Sequence, residues 1–403
     1  MADVPLTPGA RARAAWRVWP VAARVALIYA ASRLLTTAIM LVVAGASPAD
    51  SRFGSDPSLA DYVLGWDAQW YWTVAFGGYP SELPLDESGV VRENPWAFMP
   101  VYAHAANIVG FGTWGAGALA ISLVAGYAAC LALHALLRPR IGEDSATWAV
   151  VLFASSPLAA LFQVGYAESL FMALLLAALL ALVRRRWGWL YVLIPLLGYT
   201  RPGVLAFALL LGLYGVWRWW HRRSDSLAAR EIAHIVALGA LAVAVGFSWQ
   251  VIAALVTGVP DAYLETELAW RRSWIPGIES FVPLEGWVRA AEFWFARWGL
   301  PEWSGYVALA LLVGGTAVGL LSRRVRRLGP EMQLWAVSYI LYLLAVFFPQ
   351  SSTFRLLLPL SPLWGAAPRS ALGRTVTLGV CVAGQCLWIA LMYGHGNTYW
   401  QVP

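Results

Sequence analysis

The chain has 403 residues, of which 60% are hydrophobic and only 12% are charged, and it contains 24 tryptophans. Soluble domains carry about a quarter charged residues, so a soluble globular protein is excluded. Apolar runs of about 20 residues, the length that crosses a bilayer, recur along the sequence. The composition therefore predicts an all-α polytopic membrane protein. Its net charge of +6 fits the loops of such a protein, and no nucleic-acid partner is expected.

About eleven apolar segments are predicted to span the membrane, within a single transmembrane domain over residues 1–403. They are 22–45, 115–137, 146–163, 167–183, 187–200, 202–217, 231–257, 303–321, 332–348, 354–367 and 375–393. The first segment is too long for the apolar region of a signal peptide and contains Arg33, so we expect a retained helix. Two long loops, about 46–114 and 258–302, fall on the same predicted side.

The arginines predict the orientation. All 28 basic residues are arginine, and a cytoplasmic N-terminus places 19 of them inside, eight outside and Arg33 within the membrane. Basic residues favour cytoplasmic loops, so we expect a plasma-membrane protein whose two long loops are extracytoplasmic. Of the 22 acidic residues, 16 then lie outside, which indicates a function at the outer face.

Two stretches are interrupted near that face. Residues 187–217 could form one helix kinked at Pro202, but this would move three arginines outside, so we expect two helices separated at 200–203. The segment 354–367 carries Pro359 and Pro362. Broken helices at membrane depth are tolerated where they line a cavity.

Asp67 is the main candidate for chemistry. It lies in the first outer loop, with Trp66, Trp70 and Tyr71 around it. Aromatic rings pack on sugar faces or lie among lipid headgroups, and a carboxylate can accept the proton of an attacking hydroxyl. The pattern is typical of an enzyme that meets a lipid-linked substrate at the bilayer surface.

Further candidates lie on the same predicted side. Glu168 begins a helix, where an acid could be only a favourable terminal charge, or could belong to the site. Arg201 and Arg355 could be anchors that reach lipid headgroups. At broken helices facing the same side as Asp67, they are also candidates for binding a lipid phosphate. The remaining supporting candidates are Tyr102, His104 and Tyr166.

Other features are structural or absent from the sequence. Tryptophans at helical spacing over 287–298 predict an amphipathic helix in the membrane interface. No cluster of metal ligands and no glycine-rich phosphate loop occurs, so no metal or other cofactor is expected and a nucleotide donor is disfavoured. Cys130, Cys381 and Cys386 lie in apolar segments and are not expected to form disulfides.

Five short elements, in order over about residues 65–360, resemble those of the PIG-V-like mannosyltransferases, polytopic GT-C glycosyltransferases with actinobacterial members. The elements are Trp66-Asp67-Ala68-Gln69-Trp70-Tyr71 with Gly78-Tyr79-Pro80, Ala97-Phe98-Met99-Pro100-Val101-Tyr102, Ser156-Pro157 with Tyr166-Ala167-Glu168-Ser169-Leu170-Phe171, Thr200-Arg201-Pro202-Gly203, and Arg355-Leu356-Leu357-Leu358-Pro359. Gly65, Met99, Val101 and Ala167 depart from the family's pattern, whereas Asp67 and Arg201 are kept.

The resemblance implies a GT-C fold with an outward-facing site. It also implies a polyprenyl-phosphate-mannose donor, a glycolipid or glycan acceptor, surrounding membrane lipids, inverting transfer, and Asp67 as the catalytic base. Glu168 and Arg201 match motif positions near the family's site. A lipid-phosphate donor leaves as a stable anion, so transfer is expected to be metal-independent.

Two alternatives stay open. A GT-C enzyme could use another lipid-phosphate sugar, such as arabinose or aminoarabinose. A lipid or solute transporter would be expected to carry charged residues at mid-membrane and to have short loops. Here Arg33 alone is plainly within a predicted span, and the outer loops run to roughly 45–70 residues, which favours an enzyme.

Overall fold

The computed structural model describes residues 16, 18–272 and 280–396. Within these ranges the regular elements are helical, apart from one isolated bridge between Leu85 and Val91, so the all-α prediction is confirmed. The helices are α1 (Val21–Gly45), α2 (Leu59–Val63), α3 (Asp67–Gly77), α4 (Pro100–Val109), α5 (Trp114–Ile141), α6 (Glu143–Ala154), α7 (Glu168–Val183), α8 (Trp187–Gly198), α9 (Val204–Trp220), α10 (Ala229–Thr257), α11 (Ala262–Arg272), α12 (Glu285–Arg297), α13 (Glu302–Leu320), α14 (Arg323–Arg326), α15 (Pro330–Val346), α16 (Thr353–Leu356) and α17 (Ala371–Ile389). Three 3-10 segments (Pro95–Ala97, Ala159–Phe162 and Leu358–Ala366) and a π-helical turn (Ala390–Gly394) connect them.

Five stretches of the described chain are helical, long and apolar enough to cross a membrane. They are α1, α5, α10, α13, and α17 with the π-helical turn that follows it. The apolar helices α7, α8, α9 and α15 are shorter. The predicted segments 146–163 and 354–367 are not continuous helices. The number of long helices is therefore smaller than the predicted eleven, because several apolar segments end or break inside the bundle.

The centre of the bundle forms around α7. Phe171, Leu175, Leu179 and Leu182 recur at helical spacing, and each is at most 1% exposed. Helix α5 packs along α7, while α9 packs against α10 and α15. Burying a large apolar side chain is worth about 1.5–3 kcal/mol relative to water. This central core fixes the position at which α7 begins, and that position carries Glu168.

Arg33 stabilises one of the breaks. Backbone carbonyls lose their helical partners after α6, and unpaired carbonyls are costly away from water. Arg33 donates to the carbonyl oxygen of Ala154 at 2.7 Å and to that of Ala159, and its guanidinium lies over the ring of Phe162 at 5.3 Å. Arg33, the arginine predicted within the membrane, thus supplies hydrogen-bond donors to carbonyl oxygens left without helical partners at the break in segment 146–163.

The break predicted at 200–203 is confirmed, and the alternative of one helix kinked at Pro202 is wrong. Helix α8 ends at Gly198, and α9 begins at Val204. Gly203 between them has φ 137°, a backbone conformation that residues with a Cβ rarely adopt. The turn leaves Arg201 outside both helices.

The segment predicted as 354–367 consists of the short helix α16 and the 3-10 segment after it. Side chains of α15 satisfy the carbonyls freed by this irregular path. Trp335 Nε1 donates to the oxygen of Pro359 at 2.8 Å, and Tyr339 Oη donates to that of Leu356 at 2.9 Å. The break is thereby fixed against α15, with Arg355 at its start.

The predicted amphipathic helix is α12. Trp287 Nε1 donates to the oxygen of Leu343 at 2.9 Å, and Trp294 Nε1 donates to that of Pro349 at 2.9 Å. The C-terminal end of α12 is exposed, since Trp298, the residue that follows it, is 61% exposed. Helix α12 therefore covers the end of α15 and the break that follows.

Candidate active site

A cavity of about 660 Å³ lies where these breaks meet the stretch between α1 and α5. This volume is within the range of about 300–1,000 Å³ that is usual for small-molecule sites. We call it the main cavity. Its lining includes Arg52, Trp66, Asp67, Gln69, Trp70, Tyr71, Glu93, Phe98, Glu168, Arg201, Glu267, Trp270, Arg271, Tyr339, Tyr342, Leu343, Val346, Phe347, Phe348, Gln350, Ser351, Ser352, Arg355 and Leu356.

Asp67 enters the main cavity from the first turn of α3. The preceding residue, Trp66, has φ 52°, which is uncommon for a residue with a side chain and marks a constrained turn. The indole of Trp66 donates to the oxygen of Met392 at 3.0 Å, and the amide of Asp67 donates to Tyr166 Oη at 3.4 Å. These contacts fix the start of α3, where the helix dipole favours a negative charge.

Asp67 belongs to a four-residue ionic network. Arg355 Nη1 donates to Asp67 Oδ2, while Arg355 Nε lies 3.4 Å from Glu168 Oε1. Arg201 Nη1 is 3.0 Å from the same Glu168 oxygen. The side chains of Asp67, Arg355, Glu168 and Arg201 are 18%, 13%, 3% and 11% exposed. Two carboxylates and two guanidiniums therefore balance each other in charge at the wall of the main cavity, where protein shields them from most of the solvent.

Glu168 pairs with arginine rather than capping its helix. Although it begins α7, no side-chain hydrogen bond caps that helix. Its carboxylate instead contacts Arg201 and Arg355. The arrangement favours Glu168 as a site residue that orients the two arginines.

The environment of Asp67 adjusts its proton affinity. Burial disfavours the carboxylate and raises its pKa above the ordinary value, and Arg355 opposes that rise. The negative charge of Glu168 adds to the increase. A carboxylate with a raised pKa is a stronger base than an ordinary aspartate. The site thus combines a base with two fixed cations.

Aromatic rings form the wall beside Asp67. Trp70 stacks on Phe98 at 5.7 Å between centroids, and it meets Trp270 edge to face at 5.6 Å. The buried Nε1 of Trp270 has no hydrogen-bond partner in the described part of the chain. This N–H is a donor that a polar ligand could use, and the rings offer faces that suit a sugar.

A second charged group comes from α11. Glu267 accepts a hydrogen bond from Tyr263, and burial raises the pKa of its carboxyl, while Arg271 opposes that rise. Arg271 also donates to the carbonyl oxygen of Val346, linking α11 to the end of α15. The main cavity also has apolar lining residues at this end of α15, among them Leu343, Phe347 and Phe348.

Most of the predicted site residues meet in this cavity. Those that line it are Trp66, Asp67, Trp70, Tyr71, Glu168, Arg201 and Arg355. Tyr166 lies behind the network, with Arg355 over its ring at 5.5 Å. Tyr102 supports Tyr71 from behind, with ring centroids 5.1 Å apart, and its own hydroxyl donates to the oxygen of Ala118.

His104 departs from the expectation. It is an exposed residue of α4 and is not among the lining residues of the main cavity. Helix α4 turns its Tyr102 face inward, so a position two residues later points elsewhere on a helix with 3.6 residues per turn. The structure does not bring His104 to the site.

Several lining residues were not predicted. Glu267, Trp270 and Arg271 lie in the short helix α11, and Tyr339 and Tyr342 belong to the apolar helix α15. The useful signal is the spacing of Tyr339, Tyr342 and Val346, which puts them on one face near the C-terminal end of α15.

Similarity to known proteins is distant. No family model matches the sequence, and no curated protein matches it. Among solved structures, the chain is similar to the crystal structure of the Archaeoglobus fulgidus oligosaccharyltransferase in complex with Zn and sulfate, at 16% identity and a TM-score of 0.42. The alignment covers 90% of this chain and 52% of that one, so the chain spans about half the length of that protein. A likeness at this level carries no argument about activity.

The described residues contain no group of three or more His, Cys, Asp or Glu side chains arranged to hold a metal ion. This leaves the expectation of metal-independent chemistry a prediction. The charged groups that do converge, Asp67 and Glu168 with Arg201 and Arg355, are suited to proton transfer and to binding a phosphate.

Proposed function

We propose that the protein is a GT-C-type membrane glycosyltransferase. It transfers a sugar, with mannose as the first candidate, from a polyprenyl phosphate to a hydroxyl of a lipid-linked or cell-envelope glycan at the extracytoplasmic face of the plasma membrane. The observation that carries the proposal is the contact between Asp67 and Arg355 in a cavity with one aromatic and one apolar side.

In the proposed reaction, an acceptor hydroxyl oxygen attacks the anomeric carbon of the donor. The bond between that carbon and the phosphate oxygen breaks, and the phosphate leaves with the bonding electrons. Asp67 takes the hydroxyl proton, and the configuration is inverted. Because a lipid phosphate leaves as a stable anion, no metal is required.

Arg355 has two roles in this scheme. It donates a hydrogen bond to Asp67 Oδ2. A donor phosphate would compete for the same guanidinium, so binding of the donor would free Asp67 to accept a proton. Arg201 would add a second charge to the phosphate, since it lies beside the same Glu168 oxygen. Positioned donors of this kind are worth about 2.7–4 kcal/mol each in other enzymes.

Two further surfaces of the main cavity fit the prenyl chain and the sugar of the proposed donor. Leu343, Phe347 and Phe348 provide an apolar surface for the prenyl chain. Trp70 and Trp270 provide ring faces for a sugar. These features support a lipid-linked sugar as donor.

The test uses membranes that contain the wild type, Asp67→Asn or His104→Ala at equal abundance. They are incubated with radiolabelled polyprenyl-phosphate mannose and an extract of membrane lipids and glycans. We expect transfer by the wild type and by His104→Ala, and a decrease of about 10²–10⁴-fold for Asp67→Asn, the usual contribution of a general base. His104→Ala is the matched control because its exposed side chain lies outside the main cavity.

Other results would contradict parts of the proposal. Equal transfer by Asp67→Asn would exclude Asp67 as the base. Transfer from polyprenyl-phosphate arabinose but not from polyprenyl-phosphate mannose would assign arabinose as the donor sugar. Label that crosses the bilayer of reconstituted vesicles without any product would indicate a transporter instead.

A further inference from the structure

A second cavity lies at the other end of the bundle. Its volume is about 220 Å³, and its lining consists of Ile141, Arg324, Arg327, Gly365, Ala366, Ala367 and Arg369. We call it the arginine pocket. It is smaller than the about 300 Å³ at which sites for drug-sized ligands begin. A small polar group therefore fits it better than a whole sugar lipid.

The arginine pocket lies on the opposite face from the main cavity. Trp114, at the start of α5, packs against Tyr102 behind the main cavity, with ring centroids 6.2 Å apart. Ile141, at the end of α5, lines the arginine pocket. At 1.5 Å per residue, the 28 residues of α5 separate these ends by about 40 Å. This distance is close to the full thickness of a bilayer with its headgroups.

The arginine pocket also marks the membrane boundary. Ile141 ends α5, Arg324 and Arg327 follow α13, and Arg369 precedes α17. All three of these helices are long and apolar enough to span a membrane. In a bilayer that these helices span, lipid headgroups would lie at the level of the arginine pocket.

The three arginines of the pocket lack ion-pair partners among residues 18–272 and 280–396. On the same face, each acid in those ranges already contacts another arginine. The pairs are Glu143 with Arg24 and Arg138, Asp144 with Arg374, Asp225 with Arg185 and Arg218, Glu231 with Arg218 and Arg185, and Glu331 with Arg140. Arg324, Arg327 and Arg369 consequently present three positive charges to one small cavity without a described neutralising group.

We propose that the arginine pocket binds the phosphate of an anionic phospholipid headgroup. Guanidinium groups suit phosphate because they donate several hydrogen bonds in a fixed plane. Basic pockets between membrane helices are a recognised arrangement for anionic lipids. Position at the bilayer surface favours a lipid as the source of the phosphate over a soluble ion.

The bound lipid would stabilise a weakly held helix. In α13, which lies wholly within the described chain, Gly305 is the single buried residue. Protein contacts therefore hold this helix mainly near its ends. A phosphate bound by Arg324 and Arg327 on one side and Arg369 on the other would connect the end of α13 to the start of α17.

The experiment compares three full-length proteins reconstituted in nanodiscs of phosphatidylcholine, with or without phosphatidylglycerol or cardiolipin. The pocket variant is Arg324→Gln/Arg327→Gln/Arg369→Gln. The control variant, Arg323→Gln/Arg326→Gln/Arg223→Gln, loses the same charge from exposed positions of the same face that do not line the pocket. The measurements are the thermal unfolding midpoint and the lipids that remain bound in native mass spectrometry.

We expect anionic lipid to raise the unfolding midpoint of the wild type and the control variant but not of the pocket variant. The affinity of the pocket variant for phosphatidylglycerol should fall at least about tenfold more than that of the control, since the three contacts are direct rather than diffuse. Equal losses in both variants, or no effect of anionic lipid on the wild type, would overturn the proposal. So would a full effect of inorganic phosphate in phosphatidylcholine, which would assign a soluble ligand.

Two comparisons distinguish a loss of lipid binding from a folding defect. The pocket variant should unfold at the wild-type temperature in phosphatidylcholine alone, because the exposed arginines have no ion-pair partners to lose. The single variant Arg369→Gln should lose part of the lipid effect. If Arg369→Gln keeps the whole effect while the triple variant unfolds early in phosphatidylcholine, the arginines have a structural role and the proposal fails.

Discussion

Arg355 Nη1 donates a hydrogen bond to Asp67 Oδ2 although 288 positions separate the two residues in the chain. The contact exists because α3 begins with Asp67 at the wall of the main cavity, and a break after α15 brings Arg355 to the same part of that wall. Arg355 also reaches Glu168, at 3.4 Å. One guanidinium therefore connects the proposed base to the buried carboxylate that holds Arg201.

We expect Arg355→Lys to lower kcat/KM for a polyprenyl-phosphate sugar by at least about tenfold, even though the charge is kept. A lysine ammonium is a point charge that cannot form the paired contacts of a planar guanidinium. The measurement is steady-state transfer at varied donor concentration. Arg52→Lys is the comparison, because Arg52 also lines the main cavity but contacts Gln69 and the ring of Trp66. An equal decrease in both variants would contradict a specific role for Arg355.

Glu168→Gln should destabilise the protein more than Asp67→Asn. Glu168 is 3% exposed and pairs with Arg201 and Arg355. Loss of its charge leaves Arg201 without a carboxylate partner in the described part of the chain. A buried charge without a partner costs about 3–5 kcal/mol. After Asp67→Asn, Arg355 keeps Glu168, so a smaller loss is expected. Thermal unfolding in detergent measures the difference.

A double variant tests the cause of that loss. Glu168→Gln/Arg201→Gln removes both charges, and replacing a whole buried pair is often nearly neutral. We expect it to recover part of the stability that Glu168→Gln loses. If the double variant is less stable than the single one, the network is not held by charge compensation.

The pH dependence of transfer follows from the direction of the Asp67 pKa. The base acts only when deprotonated, so activity should fall as pH decreases through the pKa of Asp67. Because burial and Glu168 raise that pKa, the acidic limb of kcat/KM should lie above the range of an ordinary aspartate, which is about 3.9. Removing the nearby negative charge in Glu168→Gln should move the limb to lower pH. A limb that stays in place would exclude coupling between the two carboxylates.

The sequence was sufficient to find Asp67 because its surroundings are local: the aromatic residues adjacent to it along the chain also adjoin it in space. Arg201 and Arg355 are also accessible from the sequence, since Pro202 and Gly203 follow Arg201, and Pro359 and Pro362 interrupt the segment that carries Arg355. The helix ends near residues 155–163 are not apparent from the sequence, because an apolar composition does not show where a helix stops. Contacts such as that of Trp70 with Trp270 depend on tertiary packing, and the periodicity of a sequence does not specify which distant residues meet.

The part of the main cavity around Trp270 gives the last prediction. Glu267 is a half-buried acid of α11, and desolvation raises the pKa of its carboxyl, while Tyr263 and Arg271 oppose that rise. If the proposed function is right, a sugar hydroxyl binding beside Trp270 would meet this carboxylate. Hydrogen bonds to charged groups contribute about 1.5–3 kcal/mol, so Glu267→Gln should raise the KM of one substrate by about tenfold or more and leave kcat within about threefold.

Varying donor and acceptor separately shows which substrate contacts Glu267. Trp270→Phe is a second probe of the same wall, because it keeps an aromatic face and removes the Nε1–H that has no partner in the described chain. Both variants should raise the KM of the same substrate. A collapse of kcat in Glu267→Gln with KM unchanged would instead assign Glu267 to the chemical step, and effects on different substrates would mean that Glu267 and Trp270 belong to separate subsites.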